Sequence, residues 1–150
     1  MIAYPDTSFL CALYRQQVNS REAAQFFAAM PEALHLSPLL LYEFRQSVRF
    51  QVFLHSKDKH KGYAKPEADA ALAALQANIA TGALALVPAD WADVYAVAER
   101  LSAQYTRTTG VRAFDLLHVA TALHLGAREF LSFDSNQRSL AVAEGMNPLP

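Results

Sequence analysis

Short apolar segments alternate with longer segments of helical periodicity along the chain, and this alternation restricts the fold more than any other feature of the sequence. Strands are expected at 2–6, 34–37, 84–87 and 129–133, with a further edge strand at 146–149. No Asn-Gly, Asp-Gly or Gly-Gly dipeptide joins two of these segments, so neighbouring strands should be parallel and connected by helices. The sequence therefore predicts a three-layer α/β/α sandwich with a mostly parallel central sheet and more helix than strand.

Capping and stop signals place several helix boundaries. Asn19 and Glu22 have the spacing of a capping box, which predicts a helix start there. Pro38 suits the first turn of the next helix, because its missing N–H is not needed at that position. Residues 106–110 are expected to form a loop, since threonine and glycine follow the preceding apolar stripe.

Length and composition predict one domain over residues 1–150. The chain has 150 residues, of which 53% are hydrophobic, enough for a single sizeable core. No apolar run is long enough to span a bilayer, and no basic region of a signal peptide follows Met1. We therefore expect a cytoplasmic protein without a membrane segment. Cys11 is the only cysteine, so an internal disulfide is not expected.

The small net charge hides an uneven distribution of charge. The chain carries −1 overall, but residues 45–65 contain six basic residues and one acidic residue, which leaves the rest of the chain acidic. A run of this kind is commonly a solvated helix end or loop. Beside a site that binds a polyanion it would instead contact phosphates.

Four acidic residues stand at expected strand ends or helix starts: Asp6, Glu43, Asp115 and Asp134. The carboxyl ends of parallel strands meet at one edge of a sheet, so these side chains can converge. At 4 Å and an effective dielectric near 20, each like-charge pair would cost roughly 4 kcal/mol, which favours proton uptake or cation binding. Oxygen ligands without a Cys/His cluster select a hard cation such as Mg²⁺. The alternative for each acid alone is a helix cap.

The segments that carry these acids resemble the PIN-domain ribonucleases, particularly the VapC-type toxins of toxin–antitoxin pairs. The resemblance lies in PDTSFL at 5–10, YE at 42–43, FDLLHVATAL at 114–123 and LSFD at 131–134. It implies a compact α/β/α fold, Mg²⁺- or Mn²⁺-dependent endonucleolytic cleavage of RNA, and inhibition by a small antitoxin whose tail covers the active site. Pro5 replaces an aliphatic residue of many members, and Asn136 or Ser135 stands where some members carry a fifth acid.

The resemblance implies that Asp6, Glu43, Asp115 and Asp134 are the catalytic and metal-binding residues. In the working hypothesis Asp6 is the central ligand, Asp115 and Asp134 complete the ion sites, and Glu43 orients or deprotonates the attacking water. His118 is expected to pack beside the site. Side chains expected to contact RNA are Ser8, Arg15, Arg45, Arg49, Lys57, Lys59, Lys61 and Arg112.

Two other functions and one assembly remain open from the sequence. Asp6 could act as the nucleophile of a phosphatase or phosphotransfer domain, although Ser8 replaces the second acid usual in that chemistry. The chain could also be an inactive PIN-like module that binds RNA. Helices with many large apolar residues, including Phe50 and Phe53, predict a homodimer with a nearby groove for an antitoxin segment.

Overall fold

The computed structural model describes residues 3–150, so Ile2, expected in the first strand, lies outside the described residues. The strands are short and end one or two residues before some of the predicted boundaries. They run at Ala3–Pro5 (β1), Leu34–Leu36 (β2), Leu84–Leu86 (β3), Glu129–Leu131 (β4) and Asn147–Leu149 (β5).

Helices make up 64% of the structure, as the sequence predicts. Their bounds are Thr7–Tyr14 (α1), Ser20–Ala29 (α2), Pro38–Lys57 (α3), Lys65–Ala80 (α4), Trp91–Leu101 (α5), Arg107–Thr109 (α6), Ala113–His124 (α7) and Ser135–Ala143 (α8), with a π-helical turn at Ser102–Thr106 between α5 and α6. Of the helices in the described residues, none is long and apolar enough to cross a membrane.

All the observed strand pairs are parallel, which confirms the predicted fold class. β4 pairs with β1 on one side and with β5 on the other, while β2 pairs with β3. By hydrogen bonding these strands form two sheets, β1-β4-β5 and β2-β3. Because β1 lies next to β2, the strands stand side by side in the order 3-2-1-4-5. The chain therefore winds outward in one direction from β1 through β3 and in the opposite direction from β4 to β5. The switch point lies between β1 and β4, where α/β sheets bind ligands.

The helices form two groups that cover opposite faces of the sheet. Contacts join α1 with α2, α3 and α4 in one group and α5 with α7, and α7 with α8, in the other. Right-handed crossovers explain this division, because reversing the direction of winding moves the connecting helices to the other face. The core between the layers contains the fully buried side chains of Tyr4, Phe9, Phe44 and Phe130.

Two local predictions need correction. Residues 106–110 do not form a loop: the π-helical turn and α6 carry helical structure to Thr109, and Gly110 ends it with a φ of 66°. The hydroxyls of Thr108 and Thr109 both donate to the carbonyl of Tyr105, so two polar side chains bond to the backbone of the helix instead of to solvent. At α2, the helix begins at the predicted position, but the Asn19 side chain makes no capping hydrogen bond.

The turn between α3 and α4 depends on a glycine. Gly62 has a φ of +59°, and a Cβ at this position would overlap the carbonyl oxygen of Gln51 in α3. This close approach holds the turn after α3 against the C-terminal half of that helix.

We expect Gly62→Ala to destabilise the protein by about 2–4 kcal/mol, because it adds a backbone clash to the strain of a left-handed conformation. Gly82→Ala is a matched control, since Gly82 also has a positive φ, +79°, but its added Cβ would meet no atom within 4 Å. The control should lose only about 1 kcal/mol. Urea unfolding of both variants measures the difference, and equal losses would contradict the role of the Gln51 contact.

Candidate active site

The predicted acids are positioned around the switch point between β1 and β4. Asp6 directly follows β1, and its backbone N–H donates to the carbonyl of Leu131 at the end of β4, at 2.9 Å. Asp134 follows β4 after a short turn and is the N-cap of α8. The carboxyl ends of these two strands therefore place two of the four acids at the same edge of the sheet.

Asp6 is the innermost acid and is completely buried. Its Oδ1 accepts hydrogen bonds from the Ser8 hydroxyl at 2.6 Å and from the Phe9 N–H at 2.9 Å, and its Oδ2 accepts one from the Ser132 hydroxyl at 2.6 Å. Burial raises the pKa of Asp6 above its ordinary value, while the donors from Ser132, Ser8 and Phe9 act in the opposite direction. These bonds use three of about four lone-pair positions on the carboxylate.

Glu43 and His118 form a close pair above the start of α1. The Nε2 atom of His118 lies 2.5 Å from Oε2 of Glu43, and the Thr7 hydroxyl donates to the same oxygen. Burial alone would raise the pKa of Glu43, but the hydrogen bond and charge of His118, together with the Thr7 bond, lower it below its ordinary value. Glu43 is therefore held in its ionised form. Glu43 lies on α3 and His118 lies on α7, so the pair joins two helices.

Asp115 and Asp134 form the outer carboxylates of the site. Burial raises the pKa of Asp115, and the negative charge of Asp134 raises it further; His118 and Arg112 partly offset these effects. Gln137 hydrogen-bonds to both acids: its side-chain Nε2 donates to Asp115 Oδ1 at 3.1 Å, and its backbone N–H donates to Asp134 Oδ1 at 2.9 Å. The repulsion between these two carboxylates marks a place where positive charge would be stabilising.

Carboxylate oxygens suit a hard divalent cation, but the acids are not close enough together to surround one by themselves. Within residues 3–150, no three His, Cys, Asp or Glu side chains are grouped so that they could hold a metal ion as they stand. Mg²⁺, however, usually keeps several waters and takes only one or two carboxylates from the protein. The outer carboxylates could supply that number, whereas Asp6 has its oxygens occupied by hydroxyl and amide donors.

The residues expected to bind RNA lie at increasing distances from the acids. Ser8 is in the site as a donor to Asp6, and Arg112 is close enough to lower the pKa of Asp115. Arg15 stands eight residues after Thr7, about 12 Å along the helix by its rise per residue. Its guanidinium donates to the Cys11 sulfur and lies 5.1 Å from the centre of the Tyr63 ring.

The remaining basic residues extend along α3 and the turn after it. Arg45 and Arg49 lie on α3, and Lys57 ends it, about 21 Å from Glu43 along the helix axis. Lys61 is 3.7 Å from the Asp58 carboxylate, and Lys59 lies in the same exposed turn. The structure thus places the lysines at the far end of the helix that carries Glu43, not at the acids themselves.

Sequence reasoning missed two polar residues of the site. Ser132 is buried and donates to Asp6, and Gln137 is buried beside the outer carboxylates. A buried serine in the LSFD segment, directly after a strand, was a usable signal because a hydroxyl there needs a partner. Gln137 gave no signal of its own, since a glutamine in the first turn of a helix is ordinarily exposed.

The sequence matches the PIN domain family over residues 3–143, and the chain therefore belongs to that family. None of the curated proteins matches the sequence. Among solved structures, the fold is similar to VapC20 from Mycobacterium tuberculosis, described as a sarcin–ricin loop cleaving toxin. The two are 16% identical with a TM-score of 0.65, and the alignment covers 99% of each chain.

Two further solved structures share the fold, with comparable sequence identities and TM-scores. VapBC2 from Rickettsia felis, determined on a DNA fragment from its promoter, is 16% identical with a TM-score of 0.64 and covers 99% of this chain and 97% of its own. FitAcB from Neisseria gonorrhoeae is 18% identical with a TM-score of 0.61 and covers 100% and 97%, respectively. At these identities the likeness concerns the fold.

We expect Asp6→Asn to stabilise the metal-free protein at neutral pH, because the raised pKa of Asp6 means that ionisation there opposes folding. The difference from the wild type should be largest at pH 7 and should shrink as the pH falls towards and below 3.8, the ordinary pKa of this side chain, because Asp6 then becomes protonated in the unfolded state as well. Denaturant unfolding in EDTA between pH 3.5 and 7 measures this.

Glu99→Gln is the control for the Asp6 prediction, since Glu99 is an exposed residue of α5. Its stability should stay within about 0.5 kcal/mol of the wild type across the same range. A loss of stability in Asp6→Asn at pH 7 would show that the hydrogen bonds to Asp6 outweigh its burial.

Proposed function

We propose that the chain is a metal-dependent endoribonuclease, using Mg²⁺ or Mn²⁺, that acts in the cytoplasm as the toxin of a toxin–antitoxin pair and folds as one domain over residues 1–150. The observation that carries this proposal is the position of the acids at the switch point of a PIN-family sheet, with repulsion between the outer carboxylates Asp115 and Asp134. The similarity of the fold to a sarcin–ricin loop cleaving toxin supports the choice of RNA and of a toxin.

Each acid then has a distinct role in hydrolysis. Asp115 and Asp134 would hold the ion, while Asp6 forms the buried end of the site, where donors from the chain occupy its oxygens. A divalent cation bound there would supply a nucleophilic water at neutral pH and positive charge opposite the reacting phosphate. Glu43, whose lowered pKa makes it a weak base, orients the attacking water rather than taking its proton.

The RNA path follows α3 from the acids to the lysines. An acidic site repels a polyanion, so contacts elsewhere must hold the substrate. Lys57 and Lys59 lie at the end of α3 and just beyond it, which suits an RNA strand that extends about 21 Å from Glu43. Arg45 and Arg49 lie beside Tyr42 and Leu86 instead. Arg112 would contact RNA near the acids, since it is close enough to Asp115 to lower the pKa of that carboxyl.

The partners we propose are an antitoxin and a second copy of the chain. Three aromatic side chains on one side of α3 are about half exposed or more, at 59% for Tyr42, 49% for Phe50 and 52% for Phe53, and Leu86 of β3 is exposed to 49%. Exposed apolar surface of this kind is typical of protein interfaces. The similar fold of the VapBC2 structure supports assembly with a partner protein.

The environment of Asp6 does not favour the phosphatase alternative. A nucleophilic aspartate must reach a phosphorus atom, but Asp6 is fully buried and both of its oxygens accept hydrogen bonds from the chain. The inactive RNA-binding alternative is separated from the proposal by assaying cleavage.

Cleavage of RNA by the purified protein should require Mg²⁺ or Mn²⁺, stop on addition of EDTA, and resume when the metal is restored in excess. Asp115→Asn should lower kcat at least about 100-fold, because it removes one of the few charges that hold the ion, while leaving the fold intact. Glu99→Gln, outside the site, should cleave at the wild-type rate. Gel analysis of a labelled RNA measures cleavage, and activity in EDTA would overturn the metal-dependent mechanism.

The double variant Lys57→Gln/Lys59→Gln should bind a long RNA more weakly, and the slope of log K against log salt should become shallower by about 0.7 for each phosphate that a lysine no longer neutralises. Lys65→Gln is the matched control, because Lys65 is paired with Asp69 at 2.6 Å. A dinucleotide substrate, too short to span from Glu43 to the lysines, should be cleaved equally by all three proteins. Equal weakening by the control would contradict the proposed RNA path.

A further inference from the structure

Gln137 connects two acids that come from different helices. It lies in the first turn of α8, where its backbone N–H donates to Oδ1 of Asp134 at 2.9 Å. Its side-chain Nε2 reaches across to α7 and donates to Oδ1 of Asp115 at 3.1 Å. One residue therefore fixes the position of one outer carboxylate relative to the other.

The pattern of these two bonds leaves the same atom free on each acid. In both carboxylates Gln137 occupies Oδ1, and among residues 3–150 neither Oδ2 accepts a hydrogen bond from the protein. Because one residue bonds to both carboxylates, the two acids are held near each other and repel when both are ionised. Holding two like charges together, with one oxygen of each left unbonded, is unfavourable unless a cation can bind to them.

The side chain of Gln137 is an unfavourable choice for the fold alone. The residue is only 4% exposed, and its Oε1 is buried without a partner in the described part of the chain. A buried acceptor left unpaired destabilises a protein. The cap of α8 needs only the backbone N–H at this position, which almost any residue supplies. The amide is thus required for the bond to Asp115 and for no other contact in the described structure.

We propose that Gln137 is a positioning residue for a divalent cation, and that its amide holds Asp115 against Asp134 so that both are presented to one ion. This inference rests on the proposed function, because it concerns the same metal-dependent site. It adds a residue that does not itself bind the ion and that acts through Asp115. An apolar side chain of the same length would preserve the packing and the cap of α8 but would leave Asp115 free to turn away from Asp134.

The test compares Mn²⁺ binding to the wild type and to Gln137→Met by isothermal titration calorimetry without RNA. Methionine keeps the length of the side chain and the backbone bond to Asp134. We expect about 10- to 100-fold weaker Mn²⁺ binding, as is typical when a residue that orients a metal ligand is removed. The melting temperature in EDTA should be unchanged or higher, because the variant removes an unpaired buried oxygen.

The control variant is Ser139→Ala, on the same helix, whose hydroxyl is exposed and donates to the carbonyl of Ser135. It should bind Mn²⁺ as the wild type does. Wild-type affinity in Gln137→Met would overturn the inference while leaving the proposed metal site intact. A lower melting temperature in EDTA would also overturn it, by showing that the amide serves the fold. Absence of Mn²⁺ binding in the wild type would instead reject the metal site together with the inference.

Discussion

The burial of the Asp6 carboxylate at the junction of β1 and β4 is the constraint on which the site depends. A carboxylate removed from water is tolerated only where donors surround it, and here Ser8, Phe9 and Ser132 supply three. Two of these donors lie on α1 and the third follows β4, so satisfying one charge fixes the start of a helix against the end of the neighbouring strand. The hydrogen bonds to Asp6 and the pairing of β1 with β4 therefore both fix the position of this carboxylate.

Two of the acids proposed for catalysis also cap helices. Asp6 caps α1 through the Phe9 N–H, and Asp134 caps α8 through the Gln137 N–H. The two roles do not exclude each other, because a carboxylate has more acceptor positions than one cap needs. A cap also places an acid at the positive end of a helix dipole, which favours its ionised form. The capping interpretation of each acid is thus correct for these two and does not by itself argue against a site.

The sequence was sufficient to predict the fold class, most element boundaries and the gathering of the acids at one sheet edge, because strand–helix alternation and the handedness of crossovers leave few arrangements. It could not predict how deeply each acid lies. Asp6 and Asp115 both follow a predictable pattern, yet one is fully buried and the other half-buried, since depth is set by side chains from distant segments such as Ser132 and Gln137. The helical structure up to Thr109 was missed for a related reason: local polarity suggested a loop, but the backbone bonding continues, with the Gly110 N–H donating to the carbonyl of Thr106.

The acids of the site differ in how strongly their surroundings oppose the ionised form, as the directions of their pKa shifts show. The pKa of Asp6 is raised mainly by burial, and that of Asp115 by burial and by the charge of Asp134, whereas His118 keeps the pKa of Glu43 low. Glu43 already has a compensating partner and gains least from added positive charge. Asp6 and Asp115 gain most, because positive charge beside them would lower their raised pKa values. Of Asp6 and Asp115, only Asp115 remains partly exposed, so it is the acid that added positive charge can reach more easily.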